Sequence, residues 1–359
     1  MIKVLIVDDS AFMRKILTDV FAAEADFHVI DTARNGRDAI DKIKKLKPDI
    51  VTMDVEMPVL DGIKALEAVM AECPLPVVML SSLTHAGAEA TLQALEAGAV
   101  DFIAKSSGPI SNVAGIRQEI IDKCRAAARV DVRRLSPAKA PRVSSLPPAP
   151  AAVPPPALAV LPTASERIVA IGTSTGGPRA LQEIITRLPG SLNCGVVIVQ
   201  HMPPGFTKSL ADRLNSLSAL TVKEAEPNDV IRPGLVLIAP GDYHLTLARS
   251  GTQTVIVLGK EPPIGGHRPA VDPMMESVAK LYGAGAVGVL LTGMGHDGAK
   301  GMQRIKQQSG TTIAEHASTT VVNGMPKSAI ELGAVDVVMP LHDIAAEIVR
   351  RTQRKIGGV

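Results

Sequence analysis

Between Val132 and Ser165 the chain carries nine prolines in 34 residues, many alanines and almost no hydrophobic period. A segment of that composition cannot bury enough apolar surface to fold. It reads as a tether with polyproline II character, densest at Pro147-Pro148 and Pro154-Pro155-Pro156. At ~3.1 Å per residue it reaches about 100 Å when fully extended. One continuous fold is therefore excluded, and the 359 residues divide into two units, each long enough for its own core. The expected limits are a first domain over 1–125, a linker over 126–165, a second domain over 166–350 and a tail over 351–359.

Both flanking regions alternate short apolar runs with helical patterns. In the first, Val4–Val7, Val29–Thr32, Ile50–Met53, Val77–Leu80 and Phe102–Ala104 are strand candidates, with helical stretches between them. In the second, Ile168–Gly172, Val196–Gln200, Val236–Ala239 and Val287–Thr292 are strand-like. Repeated βα units imply two doubly wound α/β domains, each a parallel sheet covered by helices on both faces. Sites in such sheets form beyond the carboxyl ends of the strands.

In the first region Asp8 and Asp9 follow the first strand, Asp54 the third, Ser81 the fourth and Lys105 the fifth. A single aspartate at a strand end is ordinarily a turn residue. The joint set is different: it brings three carboxylates, a hydroxyl and a lysine to one sheet edge. Three carboxylates make a hard oxygen site suited to Mg²⁺, and positioning with charge neutralisation is nearly all that phosphoryl transfer requires. The set resembles the receiver domain of two-component response regulators over about residues 1–125. That resemblance implies Asp54 as phospho-acceptor, Asp8, Asp9, Asp54 and the Glu56 carbonyl as Mg²⁺ ligands, and Ser81 and Phe102 as switch positions beside Lys105. One departure is Ser106, where the family usually has proline.

In the second region the strand Ile168–Gly172 runs into Thr173-Ser174-Thr175-Gly176-Gly177-Pro178. Glycine permits a tight turn and proline suits a first helical turn, so Ser174 sits at a strand-to-helix turn with backbone N–H groups near it. A dinucleotide loop would want an acid at the end of the next strand, which ends instead in Gln200-His201. An α/β-hydrolase would place the acid before the histidine. Ser174, His201 and Asp297, the last in Leu291–Gly298, form a candidate nucleophile, base and orienting acid, all past strand ends. His296 is a competing base; His244, His267, His316 and His342 are expected to be surface or packing residues.

Gly172–Gly177, Gln200–Thr207, Ala239–Gly241, Arg268–Asp272, Leu291–Gly298 and Asn323–Pro326 together resemble the catalytic domain of the chemotaxis protein-glutamate methylesterase family. The resemblance implies the same Ser174, His201 and Asp297 roles, with Thr175 a neighbour and the Met294 backbone a candidate oxyanion donor. It implies hydrolysis of glutamate methyl esters, and deamidation of glutamines, on methyl-accepting chemotaxis receptors. A chemotaxis histidine kinase would be the phosphodonor, and Mg²⁺ would serve the receiver alone, with no cofactor for the hydrolase.

Composition narrows the alternatives. Aromatics are 2% with no tryptophan, and the net charge of +2 is dispersed. Stacking platforms and basic tracts for nucleic acid are therefore not expected, nor is a helix-turn-helix output. Cys73, Cys124 and Cys194 are far apart and form no metal spacing, which fits a reducing cytosol. No apolar stretch reaches the ~18 residues of a membrane span, and no leader pattern precedes the first strand. The chain is expected to be cytoplasmic and monomeric. A receiver-linked scaffold without catalysis is the remaining alternative.

Overall fold

The computed structural model describes residues 1–105, 113–132 and 166–353. Ser106, most of the expected linker and the end of the tail lie outside them.

The first unit contains β1 (Ile2–Val7), α1 (Ala11–Ala22), β2 (Phe27–Ala33), α2 (Gly36–Leu46), β3 (Ile50–Asp54) and α3 (Gly62–Glu72). It continues through β4 (Val77–Ser82), α4 (His85–Ala97), β5 (Asp101–Lys105) and α5 (Val113–Ala127). The five strands pair in parallel in the order β2-β1-β3-β4-β5. Helix starts follow local chemistry: Ser10, Asn35, Asp61 and Thr84 each accept a first-turn N–H through the side chain. The end of this unit lies beyond residue 125. Helix α5 runs through Ala127, and Ala127 and Val132 are buried in the core of the first unit.

The second unit contains β6 (Ile168–Thr173), α6 (Gly177–Ile185), β7 (Gly195–Gln200), α7 (Phe206–Leu217), β8 (Thr221–Glu224) and β9 (Leu235–Ile238). A hairpin follows, β10 (His244–Ser250) and β11 (Gln253–Gly259), and then α8 (Val271–Tyr282) and β12 (Ala286–Leu290). The chain closes with α9 (Ala299–Gln307), β13 (Thr311–Glu315), α10 (Met325–Glu331), β14 (Val337–Met339) and α11 (Leu341–Gln353). Seven strands form one parallel sheet in the order β14-β13-β12-β6-β7-β9-β8. Both sheets match the doubly wound α/β expectation.

Strand β6 lies at the centre of that sheet and is buried along its whole length, as a strand covered on both faces should be. From β6 the chain builds outward on one side through β7, and later on the other side through β12. The reversal makes the carboxyl end of β6 a topological switch point, where doubly wound sheets open a crevice. The β10–β11 hairpin is the one pair of antiparallel strands among the described residues, and each of its strands carries both buried and exposed residues. Strands β8, β13 and β14 and the hairpin were not among the strand candidates. β8 and β14 are short and partly exposed, whereas β13 is buried at four of its five residues but carries two threonines and a glutamate.

Candidate active site

Thr173 of β6 lies opposite Gln200 of β7 in the ladder. Ser174 and His201 are therefore the next residues on two neighbouring strands, and His201 N–H donates to the Thr173 carbonyl at 3.1 Å. The turn after β6 is tightly held. Ser174 N–H donates to the Thr292 carbonyl at 3.0 Å, and Gln200 Nε2 donates to the Ser174 carbonyl at 2.9 Å. Gly176 adopts φ +79°, a conformation glycine takes without a Cβ penalty. At Gly177 a Cβ would fall 1.9 Å from Gln200 Oε1, so this position has no room for a side chain. Pro178 then opens α6.

Asp297 lies in the loop after β12, on the opposite side of β6 from β7, and reaches across to His201. Its Oδ2 is 2.8 Å from His201 Nε2. The carboxylate also accepts the Val271 and Asp272 N–H groups at 2.6 and 3.0 Å. Burial alone would raise this carboxyl. The His201 bond and charge and the two backbone donors outweigh it and hold Asp297 below the usual carboxylate range. With Nε2 committed to Asp297, Nδ1 is the remaining ring nitrogen; it is buried and has no hydrogen-bond partner. Ser174 is half-buried, and its hydroxyl makes no hydrogen bond to His201 in this state. His296 is exposed, while Asp297 faces inward.

The expectation for His267 is corrected by the structure. It is neither a surface nor a remote packing residue. Its ring stacks on His201 with centroids 3.8 Å apart and planes 11° from parallel. Burial, reinforced by repulsion from His201, pushes its pKa down to about 4, so the wall beside His201 is neutral near pH 7. No strand-end position marks His267. It comes from the loop after the hairpin, where Arg268 is paired with Asp242 and His244 is buried as a brace. His244 Nδ1 accepts Ala270 N–H and its Nε2 faces the Pro262 carbonyl, so His244 is a buried packing residue. His316 and His342 are exposed, as expected.

Thr175 is buried, and its hydroxyl donates to Asp101 of the first unit. Its carbonyl accepts Thr292 Oγ1 at 2.9 Å. Met294 is half-buried, and its N–H donates to no described residue, which leaves it available to an incoming oxygen.

At the other sheet edge, carboxylate oxygens of Asp8, Asp9 and Asp54 lie within 4.8 Å of one another. Lys105 Nζ bonds Asp54 at 2.7 Å and Asp8 at 3.0 Å. Burial pushes the Asp54 carboxyl up; Lys105 opposes this in part and Asp8 adds to it. A crowded, acid-rich set, with Asp8 and Asp54 buried and Asp9 exposed, and with too little positive charge, fits a small divalent cation with oxygen ligands. A cleft of about 580 Å³, lined by Asp9, Glu56 and Asp61 among others, opens beside it. Ser81 is fully buried and donates to the Gly87 carbonyl in α4 at 2.9 Å, turned away from these carboxylates.

Phe102 also faces away from the pocket. It stacks on Phe206 at the start of α7, centroids 4.8 Å apart, and Lys123 Nζ lies 5.0 Å above its ring. Around this pair, α4 packs on α6 and α7, Arg213 holds Glu96 with two bonds of 2.9 and 3.1 Å, and Val321 packs against the core of the first unit. Val321 also closes over Gly176. The first unit thus touches the turn that carries Ser174. Among the described residues no helix is long and apolar enough to cross a membrane.

Comparison with known proteins agrees with this architecture. Residues 4–115 match the response regulator receiver domain model, and residues 169–348 match the CheB methylesterase model. A protein-glutamate methylesterase/protein-glutamine glutaminase of Pyrococcus abyssi is 47% identical, covering 99% of this chain and 95% of that relative. A relative of the same name from Symbiobacterium thermophilum is 50% identical, over 97% and 96% of the two chains. The crystal structure of the Thermotoga maritima CheB methylesterase catalytic domain superposes with TM-score 0.51 at 50% identity. It covers 51% of this chain and 97% of its own. By this full-length similarity the chain belongs to the CheB family of receiver-linked protein-glutamate methylesterases/protein-glutamine glutaminases.

Proposed function

We propose that this chain removes methyl groups from glutamate methyl esters, and deamidates glutamines, on methyl-accepting chemotaxis receptors, through a serine acyl-enzyme that receiver phosphorylation releases. The observation that carries the hydrolytic half is the His201–Asp297 pair at the β6 switch point, with Nδ1 unpartnered on the strand next to Ser174. Asp297 accepts the Nε2 proton and fixes the tautomer in which Nδ1 carries the lone pair. The two ring nitrogens thus exchange the roles they have in the serine protease template; ring orientation here follows from the bonding pattern. Ser174 Oγ attacks the ester carbonyl as Nδ1 takes its proton. The imidazolium then protonates methoxide, methanol leaves, and water repeats the sequence on the acyl-serine. A glutamine amide follows the same path with ammonia as leaving group. The Met294 N–H is the candidate oxyanion donor, worth about 3–4 kcal/mol in comparable sites.

The regulatory half rests on the two-domain contact. Asp101 and Phe102 lie at the start of β5, and Lys105 at its end joins the acid pocket. One strand therefore ties Asp54 to Thr175 and Phe206. Asp8, Asp9, Asp54 and the Glu56 carbonyl would hold Mg²⁺, which supplies charge neutralisation for phosphoryl transfer when bound. A phosphoryl group on Asp54 competes for Lys105, shifts β5 and favours the undocked form. A histidine kinase is the natural phosphodonor. The proposed domain limits are a receiver over 1–125, carried on through the end of α5 at Ala127, then a linker to 165, a hydrolase over 166–350 and a tail over 351–359. Methanol release from methylated receptor membranes tests the reading: the wild type should release it and Ser174→Ala should not. Equal release by both would remove Ser174 from the chemistry.

A further inference from the structure

Glu315 ends β13 with no solvent exposure at all. Its Oε2 accepts the Thr292 N–H at 2.9 Å, and its Oε1 is buried without a partner. A buried carboxyl with one orphaned oxygen is costly, and burial pushes its pKa up to about 7. Nothing in the triad chemistry uses it.

Thr292 is where its bond leads. The Thr292 carbonyl accepts Ser174 N–H at 3.0 Å and Thr173 Oγ1 at 2.9 Å. Its hydroxyl donates to the Thr175 carbonyl at 2.9 Å and accepts Val321 and Val322 N–H groups at 3.1 and 3.0 Å. Every polar atom of Thr292 is thus engaged, on one side by the three residues around the serine and on the other by Glu315. Thr292 also stands two residues before Met294, the candidate oxyanion donor.

We propose that Glu315 is a positioning residue for hydrolysis: its buried carboxyl anchors Thr292, and Thr292 sets the backbone that presents Ser174 and Met294. This rests on the serine-hydrolase reading above. Side chains held by a supporting set of hydrogen bonds keep the sub-ångström placement that catalysis needs. Thr292 makes its elbow bonds only while its own N–H is tied back, so the carboxyl acts by reach and geometry rather than by net charge. Glutamine can accept the same N–H. Aspartate keeps the charge but is one methylene too short.

The test uses the full chain with a phosphodonor and methylated receptor membranes. kcat and KM are measured separately for wild type, Glu315→Gln and Glu315→Asp, with kcat expressed per site titrated to completion by a fluorophosphonate. Glu315→Asp should lose about tenfold or more in per-site kcat at a KM within about twofold of wild type. Glu315→Gln should keep at least about a third of it. A merely structural role would lower the number of titratable sites and leave per-site kcat unmoved, which overturns the proposal. Loss by Glu315→Gln as deep as by Glu315→Asp also overturns it, since charge would then be what matters. Ser174→Ala in the same assay separates the two readings. Methanol release by Ser174→Ala defeats the serine mechanism itself, whereas a silent Ser174→Ala with unmoved Glu315 variants defeats only the role given to Glu315.

Discussion

The two sheet edges of this molecule are built alike and furnished differently. Each lies past the carboxyl ends of parallel strands. The receiver edge gathers three carboxylates around one lysine beside an open cleft. The hydrolase edge holds a single reactive carboxylate, already paired with His201 and two backbone donors and walled by a neutral histidine. The first has an excess of negative charge that a cation and a phosphoryl group can use. The second has its one negative charge held by three hydrogen bonds before substrate arrives, which leaves one basic nitrogen as its working group. The same architecture thus supports a switch at one edge and a hydrolase at the other, and β5 lies between them.

Breaking the second edge should leave the first intact. Ser174→Ala should cost on the order of 10⁶ in rate while Asp54 phosphorylation, followed by phosphate incorporation, proceeds as in wild type. Asp297→Asn is the next largest expected effect. The amide would donate to His201 Nε2 and force the proton onto Nδ1, leaving no base for Ser174. A loss of about 10⁴ in kcat is expected, as for the corresponding change in the serine protease template.

The neutral wall gives the hydrolase edge an acid sensitivity. His267 is held near 4 when folded, against about 6.5 unfolded. Between those values the unfolded chain binds more protons than the native one, so stability rises with pH there and is lost as pH falls from about 6.5 towards 4. The full effect is up to about 3 kcal/mol. Urea unfolding at pH 5 and 7.5 should show the decline in wild type and a smaller one in His267→Phe, which keeps the stacking area without the titration. An equal decline in both would assign it elsewhere.

The smallest expected effect lies at the contact between the edges. Asp101→Ala, or Phe102→Ala, removes a bond to Thr175 or a ring from Phe206. Basal methylesterase activity should rise about tenfold, the consequence of about 1.4 kcal/mol on a closed-to-open equilibrium. The phosphodonor should then add correspondingly less.

What could be read in advance divides along the same line. Asp8 and Asp9 follow β1, Asp54 closes β3 and Lys105 closes β5, so locating the strands located the pocket, and Ser174 and His201 follow from the same rule. Asp297 needed help, because an aspartate in a glycine-rich loop is ordinarily a turn former; only the fold shows its loop crossing β6 to reach His201. His267 was missed because a loop after a hairpin delivers it, and no periodicity points to a ring stack. Glu315 was not singled out, because β13 was not read as a strand and the residue's full burial shows only in the fold. Phe102 and Thr175 were read from their own domains, yet each spends its interaction on the other domain. Contacts across a proline-rich tether leave no local pattern in either partner.

The central claim, a receiver that governs access to a serine nucleophile, is tested most directly by the rate at which a fluorophosphonate labels Ser174. Acetyl phosphate with Mg²⁺ should accelerate labelling of the wild type, leave Asp54→Ala unmoved, and produce no label in Ser174→Ala. Labelling of the wild type at one rate with and without the phosphodonor would contradict it.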